Sequence, residues 1–285
     1  MEVFFQMRFS YCGKPEGLMT RASNSSRAFN EADILRQFDV LERLTLPSLR
    51  DQDDPSFRLV MLSSARMPDE CKDHLTWLLN HYLPGRSEVL YSRPMVPGRV
   101  FRRYMQGLGR GDAPVIQTQV LDGEAFGKRF VQRLREHGIE SWATGPTGEG
   151  RSATGGTFIS FKRGLNLRIE RKKLTALEPT TAPSVPFGLS LVARPSSRYN
   201  PTLINADGLG VKFPHVSIRS QGLHCLRAIS GESAKVMPAI EQRILDQAIN
   251  EFNILRAPHD IRVSEDRAQP QPTDVNGVVR LRRAG

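Results

Sequence analysis

The chain has 285 residues, 39% of them hydrophobic, enough for one large α/β domain or two small ones and too many for a chain disordered throughout. Its 40 lysines and arginines against 30 acidic residues give a formal charge of +10, which favours anionic partners without choosing among phosphates, nucleic acid and acidic membrane surfaces. Cys12, Cys71 and Cys225 are odd in number and far apart, which argues against a disulfide framework or a zinc knuckle and for a reducing compartment. No basic leader opens the chain and no apolar run approaches about 18 residues, so the expectation is a cytoplasmic protein.

Val3 to Tyr11 reads as a buried first strand, followed by a Gly-, Ser- and Asn-rich loop of the kind that often touches ligands. Asn30, with Asp33 three residues on, caps a helix whose apolar positions Ile34, Phe38 and Leu41 continue through Thr45 until Pro47. Arg58 to Ser63 is apolar on both faces, the mark of a central parallel strand. A helix over Asp69 to Tyr82, a weaker strand over Ser87 to Tyr91 and a basic helix over Val100 to Leu108 follow. With the next strand this makes a fourth alternation, which predicts a doubly wound, mostly parallel sheet with helices on both faces.

That fourth unit, PVIQTQVLDGEAFGKRFVQRLR from Pro114 to Arg135, carries the chemistry. It reads as a strand, an acidic turn at Asp122, Gly123 and Glu124, and a helix with Phe126, Phe130 and Leu134 every four residues and Val131 beside them. Residues two apart on an extended backbone share a side, so both carboxylates could meet one cation at the carboxyl end of a strand, where open α/β sheets place ligands. The plainer reading is that Asp122 caps the helix and Glu124 sits in its first turn, where negative charge suits the dipole.

Beyond the helix ending near His137, a Gly-rich loop leads to two short strand-like runs around Arg163 and Gly164, which read as a hairpin. Phe187 to Ala193 is another strand, Val211 to Ile218 a poorer one, and Glu241 to Phe252 a last helix before a loosely held basic tail from Arg256. The organisation expected is a nucleotide-binding half over 1–140, a mixed β/α half of the same domain over 141–255, and the tail over 256–285. Arg99, Arg102, Arg103 and Arg110 lie on or around one helix and either clamp phosphate or form a solvated face. The run from Gly148 lacks the Gly-Lys-Ser/Thr ending and the strand-to-helix setting of a phosphate loop. His215 and His224 are too irregularly spaced for a metal pair, and the chain has no recognisable nucleic-acid-binding module.

Several segments, in order, resemble the bacterial rhamnosyltransferase family: Arg8-Phe9-Ser10-Tyr11, Leu44-Thr45-Leu46-Pro47-Ser48-Leu49 with Gln52, Asp54-Pro55 and Phe57, the Asp122 turn, Ile159 to Leu165, and Phe187 to Val192. The resemblance covers most of the chain up to about residue 230 and implies a GT-A-like fold whose acidic motif holds Mg²⁺ or Mn²⁺ on the diphosphate of a nucleotide-sugar donor. It implies Asp122 and Glu124 as metal ligands, Arg8 and Ser10 as donor contacts, Arg103 as a phosphate contact, and a glycan or lipid-linked acceptor; separately, Arg280, Arg282 and Arg283 of the tail could meet an acidic membrane face, with a soluble basic tail the plainer reading. Asp207 and Glu149 are the candidates for a catalytic base. Family members usually carry consecutive aspartates and a preceding arginine where this chain has Leu121-Asp122-Gly123-Glu124 and Gln119, and a histidine soon after the Phe187 strand where it has Asn205-Ala206-Asp207. A catalytically silent relative that binds a sugar nucleotide or a partner is therefore the second expectation.

Overall fold

The structure, a computed structural model, describes residues 1–13, 30–109, 111–144, 155–170, 173–181, 186–204, 209–219, 222–229, 239–256, 261 and 263–264. The first half runs β1 (Glu2–Arg8), α1 (Glu31–Val40), α2 (Leu46–Arg50), β2 (Phe57–Ser64), α3 (Asp69–Tyr82), β3 (Ser87–Ser92), α4 (Pro97–Gly107), β4 (Val115–Val120), β5 (Glu124–Phe126) and α5 (Phe130–Ala143). The second half runs β6 (Thr157–Phe161), β7 (Arg163–Glu170), β8 (Lys173–Thr181), β9 (Phe187–Ala193), α6 (Leu209–Lys212), β10 (His215–Ile218), β11 (Cys225–Ile229), β12 (Ile240–Glu241), α7 (Gln242–Glu251) and β13 (Val263–Ser264).

A seven-stranded sheet in the order β10-β6-β9-β4-β1-β2-β3 forms the centre. Strands β1, β2, β3 and β4 pair in parallel, as the alternation predicts, and β9 runs antiparallel to both β4 and β6. Strand alternation divides the side chains between two layers. Phe4, Val60, Leu62 and Val115 pack with Phe101 and Met105 of α4, while Val3, Phe5, Met7, Leu59 and Met61 pack with Ile34, Phe38, Leu75, Leu78 and Phe130 from α1, α3 and α5. Apolar strand faces on both sides are thus covered, which is why the strand sequences read as continuous hydrophobic runs. A second sheet, β5-β11-β7-β8, encloses its own core of Leu165, Leu167, Leu177, Leu226 and Leu245.

Three expectations change. The first helix does not stop at Pro47. It passes through a π-helical turn at Leu41–Thr45, where the Leu46 amide donates to the Leu41 carbonyl, and continues as α2 with Pro47 in its first turn. Proline is accommodated inside the continuing helix because the π-helical turn just before it shifts the hydrogen-bond register, so a residue without an N–H does not break the helix. Phe126 is not helical: its amide donates to Ser48 Oγ and the Gly127 amide to the His224 carbonyl, so these donors are committed to other elements and α5 begins only at Phe130. The hairpin lies one strand later than expected. β6 and β7 belong to different sheets, joined by Lys162 alone, and it is β7 that pairs antiparallel with β8. At this crossing a Cβ on Gly164 would lie 2.7 Å from the Cys225 carbonyl and 2.5 Å from the Phe187 ring, so only glycine lets the strands pass.

Candidate functional site

The carboxyl ends of β1, β2, β3 and β4 lie along one edge of the sheet, and the sequence around them is built to hold unusual backbone. Ser10, two residues beyond β1, has φ +45°, a left-handed value that costs a non-glycine residue about 1–2 kcal/mol. Its amide donates to Gln37 Oε1 of α1 at 3.0 Å. Next to it, Tyr11 accepts from the Met95 amide at 2.9 Å and its hydroxyl lies 2.9 Å from the Arg93 carbonyl, strapping the end of β1 to the segment between β3 and α4. Arg8 is half-buried at the end of β1, and burial lowers its pKa, with Tyr11 acting in the opposite sense. Gln119, near the end of β4, is 5% exposed and its Oε1 has no hydrogen-bond partner among the described residues. A buried acceptor left unpaired is costly, and this one lies three residues before the acidic turn at Asp122.

Asp122, Gly123 and Glu124 form a tight turn in which the Glu124 amide donates to the Leu121 carbonyl at 3.1 Å and Gly123 has φ +75°. The turn separates the two carboxylates. Glu124 is 1% exposed; its Oε2 accepts from the Leu121 amide at 2.8 Å and its Oε1 from Arg227 Nη2 at 2.6 Å. Arg227 also stacks on the Phe187 ring, 4.7 Å from its centroid. Asp122 is solvent-exposed and lines a cavity of about 230 Å³ with Arg36, Asp39, Val40, Ile169, Ala228 and Ile229. The cavity wall still removes much of the water around the carboxyl, so desolvation raises its pKa, while Arg36 and the Gly123 amide act the other way. The backbone between the two carboxylates turns, so Asp122 faces solvent and the cavity while Glu124 is buried against Arg227.

Other elements fix the turn from below. Thr45 Oγ1 donates to the Glu124 carbonyl at 2.7 Å, and Gln52 donates to the Gly127 carbonyl at 2.9 Å while its Oε1 accepts from the Val131 amide at 3.0 Å. Phe5, Phe126, Phe130 and Phe161 form a chain of ring contacts at 5.2, 4.4 and 5.0 Å, each pair worth about 0.5–1.5 kcal/mol beyond its buried area. Arg103 stands exposed in the middle of α4, and Arg102 donates to the Arg198 carbonyl at 3.2 Å. Asp207, Glu149 and Arg110 lie outside the described residues. Sequence reading missed Arg36, Asp39 and Arg227. The first two could have been found from their place on the helix that follows the first strand, whereas Arg227 lies 103 positions from its partner.

The fold and site define an α/β protein with its candidate site at the carboxyl edge of a mostly parallel sheet. A family model described as "Putative rhamnosyl transferase" matches residues 3–239, and the chain belongs to that family. No curated protein sequence matches. Among solved structures, Staphylococcus aureus TarS 1-349 in complex with UDP is similar at 11% identity and a TM-score of 0.42, over 81% of this chain and 61% of that one. The complex of the same protein with UDP-GlcNAc gives 12% identity and a TM-score of 0.42 over 88% and 67%. An inositol-1-phosphate CTP transferase from T. maritima gives 8% identity and 0.33 over 90% and 97%. The chain thus spans about three fifths of the first of these proteins.

Proposed function

We propose that the protein is a glycosyltransferase that takes a nucleotide-diphosphate sugar, with a deoxyhexose such as rhamnose as the sugar, and transfers it to a glycan or lipid-linked acceptor. The reading rests on one observation together with family membership: an accessible carboxylate, Asp122, stands at the carboxyl end of the central strand β4, where α/β sheets bind ligands. In transfer, an acceptor hydroxyl oxygen attacks the anomeric carbon, the carbon–oxygen bond to the diphosphate breaks, and the hydroxyl proton passes to a base, for which Asp207 is the proposed residue. Arg8 and Ser10 would meet the nucleotide. Arg103 would serve a phosphate only if the bound donor extends over α4.

The residues present fit a Mg²⁺ or Mn²⁺ held by Asp122 and the donor's own phosphate oxygens, a common arrangement for Mg²⁺, better than one shared by Asp122 and Glu124. Asp122 would hold it, and the ion would stabilise negative charge on the departing diphosphate. Glu124 serves the fold, since Arg227 and the Leu121 amide already occupy both its oxygens. The test is donor hydrolysis and sugar transfer with Mn²⁺ present: Asp122→Ala abolishes turnover if the reading holds, and full activity in that variant overturns it.

The commitment of Glu124 to Arg227 favours one second reading, a catalytically silent relative that binds a sugar nucleotide. Calorimetry with a panel of nucleoside diphosphates separates the two. Metal-dependent binding with turnover marks the enzyme; metal-independent binding without turnover marks the silent relative. Contact of the basic tail with an acidic membrane face is part of the first reading, and no helix among the described residues is long and apolar enough to cross a membrane.

A further inference from the structure

The opposite edge of the large sheet carries a second concave site that the transfer reaction does not use. Met1, Glu2, Pro55, Phe57, Arg58 and Arg86, with Ser56, Gly85 and Arg135, enclose a cavity of about 430 Å³ at the amino ends of β1 and β2. Its three arginines have different tasks. Arg135 is spent on structure, since its Nε donates to Asp54 at 3.0 Å and its two terminal nitrogens to the Met1 and Ser56 carbonyls. Arg86 is held but not satisfied: its guanidinium lies over the Phe57 ring, 5.0 Å from the centroid, and its Nη1 is shielded from solvent without a hydrogen-bond partner among the described residues. Arg58 is exposed at the rim.

A donor atom shielded from water without a partner costs free energy even in a half-buried side chain, and an anion that draws the guanidinium towards the cavity removes that cost while gaining a charge-assisted, planar fork. The backbone supports Arg86 in place, because its amide donates to the Leu83 carbonyl at 3.0 Å and its carbonyl accepts from the Leu59 amide at 2.8 Å, which fixes the loop between α3 and β3. Phe57 beneath the guanidinium limits its rotation, so less order is lost on binding. Glu2 also lines the cavity, and its carboxylate works against an anion there, so the two arginines must outweigh it.

We infer that this cavity binds a phosphate-class anion between Arg86 and Arg58, at the sheet edge opposite Asp122 and independently of donor binding. Such a group could arrive as a soluble phosphate ester or as a phospholipid headgroup, and two probes distinguish them. Inorganic pyrophosphate is titrated into the full chain and into Arg86→Gln and Arg58→Gln by calorimetry, and flotation is run with vesicles of phosphatidylglycerol and phosphatidylcholine. Each substitution weakens the affected probe about ten- to a hundredfold, the expected loss of a hydrogen bond to a charged group. Arg58→Gln alters an exposed side chain and so keeps the test valid if Arg86→Gln folds poorly. Loss of pyrophosphate binding in the variants supports a soluble ligand, and loss of vesicle binding supports a headgroup. Unchanged binding of both probes in Arg58→Gln and in a folded Arg86→Gln, or no binding by the parent chain, overturns the inference and leaves ordered water as the partner of Arg86.

Discussion

Glu124 and Arg227 meet at 2.6 Å across the antiparallel pair of β5 and β11, with 2% and 16% of their side chains exposed. The pair joins the turn that ends the first half of the large sheet to the small sheet formed by the second half. Breaking a buried ion pair by removing one partner leaves an uncompensated charge, at a cost of about 3–5 kcal/mol. Arg227→Met should therefore lower unfolding stability by about that amount in denaturant titration. A loss below about 1 kcal/mol would show that the pair is no strut.

Asp122→Asn should act in the opposite way. The native state raises the pKa of this carboxyl, so between the unfolded and folded values the native chain binds more protons and stability falls as pH rises. At neutral pH the charged carboxylate is therefore a burden on the fold. The expected outcome is an unchanged or higher melting temperature together with loss of transfer, the pattern of a site residue that function keeps at the expense of stability.

His224 should set part of the acid limit. Burial lowers its pKa from 6.5 to about 4, with Glu251 opposing and Arg133 and Arg129 reinforcing the shift. A lowered histidine pKa means that the unfolded chain takes up the proton first, so stability is lost as pH falls from about 6.5 towards 4. The loss should approach about 3 kcal/mol at the lower end. In His224→Phe the slope of stability against pH over this window should flatten, measured by urea unfolding at a series of pH values.

Ser10→Gly tests whether the strained corner after β1 serves the site. Glycine reaches φ +45° without the Cβ clash, so native strain of about 1–2 kcal/mol is removed, less the extra freedom glycine gives the unfolded chain. The expected result is a small gain in stability with weaker nucleotide binding, read by thermal denaturation and calorimetry. Gly123→Ala is the converse: at φ +75° and 3.0 Å from Ala228 Cβ it should destabilise by about 1–2 kcal/mol.

What could be read in the sequence was what local pattern encodes. The helix over Asp69–Tyr82 and the strand over Phe187–Ala193 emerge with the bounds expected, because apolar periodicity and flanking turn residues agree there. Phe126, Phe130 and Leu134 satisfy a helical spacing equally well when the first lies in a short strand, so spacing alone could not find that boundary. The separation of Asp122 from Glu124 is also invisible locally, since it depends on Arg227 on the neighbouring strand β11, 103 positions away in the chain. The placement of β9 between β4 and β6 is decided by long-range pairing, which a strand's own residues do not state.

That placement bears on how the chain must be made. Until residue 193 has left the ribosome, β4 has no partner on the side where Val115–Thr118 later pair with β9, and its buried sequence is an open sheet edge. The first 143 residues can collapse around β1, but they carry a sticky flank that only a strand synthesised later can cap. A chain truncated before Phe187 should therefore aggregate even though it contains every element of the alternating half, and nascent chains of that length would be natural clients for a chaperone.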